Sequence, residues 1–362
     1  MTTRVNHRPH ELVKLKRSVM PEHIIFVDTE TGFKQEVNGK TPHVLKLGVA
    51  IYARFRRDGK PNTKKLYRFE TIEQFWKFVA SKQINKTVLY IMAHNANYDV
   101  WILKHISNLE DLGYKVKFTA HNGQTFIARW RKSNHTIEIL STTNWFKGTL
   151  AKWGTELDLP KLVMPKGIDS KEKWFVYCER DTEILYQLYV WYKQFLLDND
   201  LGTWGYTLPS QAFTAFRHRF MGQPIYVPDR EEEGPLPRES YHGGRTECFR
   251  VGEFNDGPYY KLDTNSMYPY VMHHYEYPSC LEGEYKNPDK YKTRRTAEDK
   301  CVIADCTLST QLPYFVYRQN ERNIYPIGEF RTFLTTQEYI TAYDSNGIIE
   351  VHNVSMYRAR NL

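Results

Sequence analysis

The stretch HIIFVDTETG (His23–Gly32) decides how this chain is read. Ile24 to Val27 form an unbroken apolar run, as expected of a strand buried on both faces rather than one alternating between core and water. Asp28 and Glu30 follow, two residues apart. Side chains at that spacing leave the same face of a strand, so the pair emerges together where the strand ends. Two adjacent carboxylates repel unless a cation lies between them. A D-x-E also recurs at exposed strand ends without any ion, so the pair needs partners before it means chemistry.

Outward from this strand, HVLKLGVAIYARF and KKLYRFE follow at hairpin-like distances and read as two more strands. A helix is expected to start at Thr71, with Gln74 completing a capping box and Phe75, Phe78 and Val79 buried. TVLYIMAH is the next strand, leading into a helix from about Tyr98 to Gly113. YKVKFTA, TFIARWR and TIEILST form a strand meander, and helical patterns follow at GTLAKWGTEL and from about Ser170 to Asn199. This order predicts an α/β fold, a mixed sheet with helices packed on it. PDREEEGPLPRES, rich in charge, proline and glycine, is the clearest boundary in the chain.

The 362 residues suffice for two or three compact units, and a net charge of +8 spread over most segments suits an anionic partner such as nucleic acid. Five cysteines, none in a C-x-x-C pair, argue for a reducing compartment and against a disulfide framework or structural zinc. The basic leader 1–22 lacks the apolar core of a secretion signal, and no run approaches the roughly 18 apolar residues of a membrane span. A cytoplasmic location with no membrane partner is therefore expected. The leader itself fits either a nucleic-acid contact or a solvated tail.

Two more acids stand out. In AHNANYDVWIL, Asp99 opens a helix directly after the buried strand. An acid there complements the helix dipole, but if its strand neighbours the first, Asp99 reaches the same sheet end as Asp28. In WFVYCERDTEILYQLYVWY, Tyr177 and Asp181 share a helical face with Ile184, Leu185, Leu188 and Tyr192. Asp181 thus falls where the helix buries apolar surface, and a buried carboxylate requires a metal or strong hydrogen bonds.

The ordered set D-x-E, N-x-x-Y-D and Y-x-x-x-D resembles the three exonuclease motifs of the proofreading domain in family B DNA polymerases. The resemblance implies a ribonuclease H-like 3′–5′ exonuclease domain in which Asp28, Glu30, Asp99 and Asp181 hold two divalent metals and Tyr177 orients the attacking water. The cluster is expected to lack the His and Cys that would favour zinc, so Mg²⁺ or Mn²⁺ is the expected metal. Thr31, Asn95 and Tyr98 are implied to line the path of a single-stranded DNA 3′ end, with Tyr98 offering a stacking face. A lysine of LPKLVMPKGID is expected at the scissile phosphate, and the KGID context favours Lys166 over Lys161.

After the boundary, YHGGRTECF places Tyr241, Gly243 and Gly244 together, a close backbone approach for phosphate or an ordinary turn. About twenty residues later YYKLDTNSMYP sets Asp263 at the end of an expected apolar strand. Together they resemble the Y-x-G-G motif and first palm motif of the protein-primed branch of family B polymerases. By that resemblance Asp263 binds metal and nucleotide, and Tyr268 packs under the nucleotide sugar. LTTQEYITAYDSNGIIEVHNVSMY resembles the start of the insertion that contacts the terminal priming protein. The expected domains are 23–200 for the exonuclease, 201–275 for linker and partial palm, and 276–362 for an incomplete insertion-like region.

The branch completes its polymerase site with a D-T-D hairpin and a K-x-x-x-N-S-x-Y-G helix, and neither occurs in this sequence. Asp305 in VIADCTL is expected to be a solvent-facing strand residue instead. The expected partners are therefore a single-stranded DNA 3′ end and primer-template DNA, a terminal priming protein, and a second chain bringing the missing acids, fingers and thumb. Two competing classes are a DNA- or terminal-protein-binding module with a vestigial site, and an autonomous ribonuclease H-like nuclease acting on RNA.

Overall fold

The computed structural model of the chain describes residues 10–33, 42–56, 60–123, 125–222, 224–227, 236–286, 294–320 and 322–361. Residues 1–9 of the expected leader, 228–235 of the boundary segment and 287–293 of the insertion-like region lie outside the described residues. Contacts divide the chain into two units, one spanning Glu11–Ile225 and one containing Tyr226–Leu362.

The first unit is built on seven strands: β1 (His23–Phe33), β2 (His43–Phe55), β3 (Pro61–Phe69), β4 (Val88–Ala93), β5 (Lys115–Asn122), β6 (Thr125–Lys132) and β7 (His135–Ser141). Their order across the sheet is β3-β2-β1-β4-β7-β6-β5. β1 pairs antiparallel with β2 and parallel with β4, and β4 pairs parallel with β7. The sheet is mixed, as the element order predicts, and the parallel β1–β4 pairing brings the ends of both strands to one edge.

Ile24, Ile25, Phe26 and Val27 have no exposed surface. Ile25 and Val27 belong to the core beneath helix α1 (Ile72–Ser81), with Phe75, Trp76 and Val79. Ile24 and Phe26 pack on the opposite face, in a core shared with Ile184, Leu188 and Tyr189 of the long helix α2 (Lys171–Asp198). Each side chain so buried contributes roughly 1.5–3 kcal/mol. Because alternate residues take alternate faces, Asp28 and Glu30 inherit the α2 side from Ile24 and Phe26.

Local chemistry fixes the helix ends. Thr71 and Gln74 form the reciprocal capping box of α1, and the Ser170 hydroxyl accepts from Lys173 N to start α2. Gly48 of β2 meets Phe69 of β3, and a Cβ there would lie 2.2 Å from Phe69 Cζ. Only glycine lets that ring lie across the strand beside Thr29.

The helix expected from Tyr98 to Gly113 is two helices, Ala96–Ile102 and His105–Asp111, broken where Lys104 turns left-handed at φ 48°. The break frees the Val100 carbonyl, because the Lys104 amide bonds Trp101 O instead. His105 Nδ1 donates to Val100 O at 3.0 Å, and Trp76 Nε1 donates to Leu103 O at 2.7 Å. Two buried rings thus replace helical hydrogen bonds, so the break leaves no orphaned carbonyl at either position.

The second unit holds a four-stranded antiparallel sheet of β8 (Glu276–Lys286), β9 (Lys300–Thr310), β10 (Gly328–Thr335) and β11 (Ile348–Asn361), in the order β8-β11-β9-β10. Val302, Ala304, Cys306 and Leu308 of β9 face its core with Tyr339 and Ala342 of the helix Thr336–Asp344. That helix starts with a Thr335/Glu338 capping box.

Two expectations are corrected here. Asp305 is not solvent-facing: it is 4 % exposed and takes a bidentate pair from Arg331 at 2.7 and 2.6 Å. Alternation does put it on the side of β9 away from the core, but the Arg331 guanidinium closes that side. The strand expected before Asp263 is also absent. Tyr259, Tyr260 and Leu262 are exposed, and regular structure begins only with the helix Met267–His274. No described strand pairs with this segment, and an unpaired strand backbone stays solvated.

Candidate active site

The acids of the first unit are brought together. Asp28 and Glu30 project from β1, and Asp99 comes from the helix that follows β4. Asp99 Oδ1 accepts from the Thr29 amide at 3.2 Å and the Thr29 hydroxyl at 2.7 Å, which ties the two strand ends to each other. From the other face α2 presents Cys178, whose thiol donates to the Asp28 carbonyl and to Asp28 Oδ2 at 3.3 and 3.4 Å. Asp181, one turn on, is 2 % exposed; its Oδ2 pairs with Lys161 Nζ at 2.6 Å and its Oδ1 has no partner among the described residues.

The electrostatics are those of crowded, dehydrated carboxylates. Burial, followed by the charges of Asp99, Asp181 and Glu30, pushes Asp28 well above the ordinary carboxylate range. Burial and Asp181 raise Glu30 to about 7 against the opposing pull of Lys161 and Lys46. Asp99 is likewise pushed by burial to about 7 despite its Thr29 hydrogen bonds. Burial also raises Asp181, outweighing Lys161. It holds the Cys178 thiol well above its usual range too, with the Asp28 and Glu30 charges adding to it. Divalent cations would relieve this repulsion directly, and the oxygen donors with an orphaned Asp181 Oδ1 fit hard ions.

Tyr177 is 5 % exposed and lies against the same cluster, with Lys161 Nζ 5.1 Å from its ring centre. At the rim, the Tyr98 hydroxyl is 2.7 Å from Thr31 Oγ1 and 2.7 Å from His43 Nδ1, leaving the ring 39 % exposed. Asn95 precedes that helix in a left-handed conformation, φ 58°, with its side chain exposed and free of any capping bond.

The lysine is a correction. Lys161, not Lys166, reaches the acids. Arg180 Nη1 on α2 holds Pro160 O at 2.7 Å, which lays the chain along the helix and delivers the next residue to Asp181. Lys166 instead opens a turn closed by its amide on Asp169 Oδ2 at 2.7 Å. His43 and Cys178 were not singled out from sequence either. Cys178 sits visibly between Tyr177 and Asp181, whereas His43 is 55 positions from Tyr98 and leaves no local signal.

In the second unit, Asp263 and Tyr268 are exposed. A Cβ on Gly244 would lie 3.8 Å from the Tyr268 hydroxyl, so these two motifs approach each other. Neither Gly243 nor Gly244 has a positive φ. Tyr241, Gly243 and Gly244 line an open cleft of about 610 Å³ with Arg245, Arg318 and Arg322. Among the described residues, Asp28, Glu30 and Cys178 form the one group of three ligand types close enough to share an ion, and Asp263 is in no such group.

Comparison with known proteins agrees with this architecture. The sequence model of the family described as "DNA polymerase type B, organellar and viral" matches residues 141–360. The chain belongs to that family. It is 26 % identical over 191 residues to a protein described as "Probable DNA polymerase" from Neurospora intermedia, an alignment covering 48 % of this chain and 19 % of that one. Among solved structures it resembles phi29 DNA polymerase complexed with primer-template DNA, at a TM-score of 0.56 and 15 % identity over 94 % of this chain and 62 % of that one. A phi29 DNA polymerase complexed with single-stranded DNA matches at the same TM-score and identity, with 61 % of its chain covered. The chain therefore spans about a fifth of the Neurospora relative and about three-fifths of the phi29 chains.

Among the described residues, no helix is long and apolar enough to cross a membrane.

Proposed function

We propose that this chain is a portion of a protein-primed type B DNA polymerase and that its first unit is a ribonuclease H-like 3′–5′ exonuclease acting on single-stranded DNA. The observation that carries this reading is the convergence of Asp28, Glu30, Asp99 and Asp181 on one sheet end, with a buried carboxylate oxygen of Asp181 unpartnered. Mg²⁺ or Mn²⁺ held by these acids would supply charge stabilisation to both sides of an in-line phosphodiester displacement.

The protein's own groups divide the remaining work. Lys161 sets an ammonium where the scissile phosphate enters, held there by Asp181. Tyr177 orients the attacking water, and Tyr98 stacks against the terminal nucleotide with its hydroxyl fixed by Thr31 and His43. Asn95 contacts the strand from the same rim. In the second unit, Tyr241, Gly243 and Gly244 guide primer-template DNA, and Asp263 with Tyr268 forms half of a nucleotide site that another chain or segment completes. The DNA in the phi29 complexes supports nucleic acid as the ligand, and the insertion-like strands of this unit are the surface we assign to a terminal priming protein.

The test is direct. Wild-type protein should release mononucleotides from the 3′ end of single-stranded DNA in Mg²⁺, and Asp28→Ala with Glu30→Ala should abolish this. Release that survives the double substitution sinks the assignment.

A further inference from the structure

Cys178 is an unexpected group to find facing a hard-metal cluster. Its Sγ, with a carboxylate oxygen each from Asp28 and Glu30, falls in a set whose members all lie within 4.8 Å of one another. The Cys178 Sγ to Asp28 Oδ2 separation is 3.4 Å. A tetrahedral ion with sulfur at about 2.3 Å and oxygen at about 2.0–2.2 Å sets those two donors about 3.5 Å apart. The pair is thus already spaced for one shared cation. A second feature points the same way: Asp181, 2 % exposed and one helical turn from Cys178, leaves Oδ1 unpartnered among the described residues.

We propose that Cys178, Asp28 and Glu30 form a three-ligand site for a thiophilic divalent cation of the Zn²⁺ class within the carboxylate cluster. Binding exchanges one proton for the ion: the thiol loses its hydrogen to solvent, the sulfur bonds the metal, and no oxidant or reductant is involved. Hard ions use the carboxylates and leave the thiol protonated on Asp28. A thiophilic ion instead gains the thiolate as a third protein ligand beside Asp28 and Glu30 and leaves its fourth position to solvent. Such an ion therefore competes with the hard ions for Asp28 and Glu30. This inference rests on reading these acids as metal ligands.

Cd²⁺ is the probe, because its bond to thiolate gives a charge-transfer band in the ultraviolet. The full chain carries Cys248→Ser and Cys280→Ser to remove the exposed thiols. One Cd²⁺ per chain should raise the band, and adding Cys178→Ala should remove it, with folding checked by circular dichroism. If that variant misfolds, Asp28→Asn in the same background should weaken Cd²⁺ binding at least tenfold. A band that is absent, or that survives Cys178→Ala, or Cd²⁺ affinity unmoved by Asp28→Asn, overturns the proposal. Mn²⁺ binding followed by electron paramagnetic resonance separates the two readings. Mn²⁺ bound without a Cd²⁺ band removes only the thiol's role, and no binding of either ion removes the metal centre as well.

Discussion

Asp99 gives the sharpest test of the charge crowding. Its pKa rises from an ordinary 3.8 to about 7 in the folded protein, chiefly through burial. Well below pH 3.8 both states carry a neutral acid and folding is unaffected. As pH rises the unfolded chain ionises first, so stability of the metal-free protein falls through the window from 3.8 to 7 and the loss is complete above it. At 1.36 kcal/mol per unit the loss reaches about 4 kcal/mol at pH 8, and less than half of it is present at pH 5. Asp99→Asn is neutral throughout and keeps an Oδ1 for both Thr29 donors. The variant should therefore be more stable than wild type in EDTA by about those amounts, read from urea unfolding at the two pH values. Saturating Mg²⁺ should narrow or reverse the difference, since only the wild type offers the ion a full set of acids. A variant less stable than wild type at pH 8, or a gain that does not grow with pH, would refute the reasoning.

Two further substitutions probe the surroundings. Lys161→Ala strips Asp181 of its Lys161 ion pair and should cost about 1–3 kcal/mol and most of the proposed nuclease rate, whereas Lys166→Ala should stay within about 0.5 kcal/mol of wild type; matching losses in urea midpoint and rate would show the lysine to be misplaced. Gly48→Ala forces the Phe69 ring away from a Cβ only 2.2 Å distant and should cost about 1–3 kcal/mol in thermal unfolding, with an unchanged transition arguing against that contact.

The parts of this architecture legible in the sequence are those governed by local periodicity. The run Ile24 to Val27 announces a doubly buried strand because nothing polar interrupts it, and the acids after it inherit their direction from the pleat. The stripe through Ile184, Leu185, Leu188 and Tyr192 locates α2 and exposes Asp181 as an acid among apolar neighbours. What stayed hidden depends on chain return. Lys161 reaches Asp181 only because Arg180 catches Pro160 O across 20 positions, and no spacing rule reports such a catch. Asp305 shows the same limit: alternation assigns it a side of its strand, but whether that side meets water is settled by Arg331 on another strand. The break at Lys104 depends on two rings arriving from elsewhere to take over helical carbonyls.

Arg180 and Asp181 are consecutive on α2, and one grips the backbone of Pro160 while the other receives the ammonium of Lys161. Clamp and receptor thus ride on the same turn of helix. The place of the cation is therefore set by the helix and not by the rest of its own loop. The cluster thus has two supports, the sheet end that carries Asp28 and Glu30 and holds Asp99 through Thr29, and the helix that carries Asp181 with its lysine, and the two are pinned together by Lys64–Glu183, Arg68–Glu172 and Arg68–Glu179.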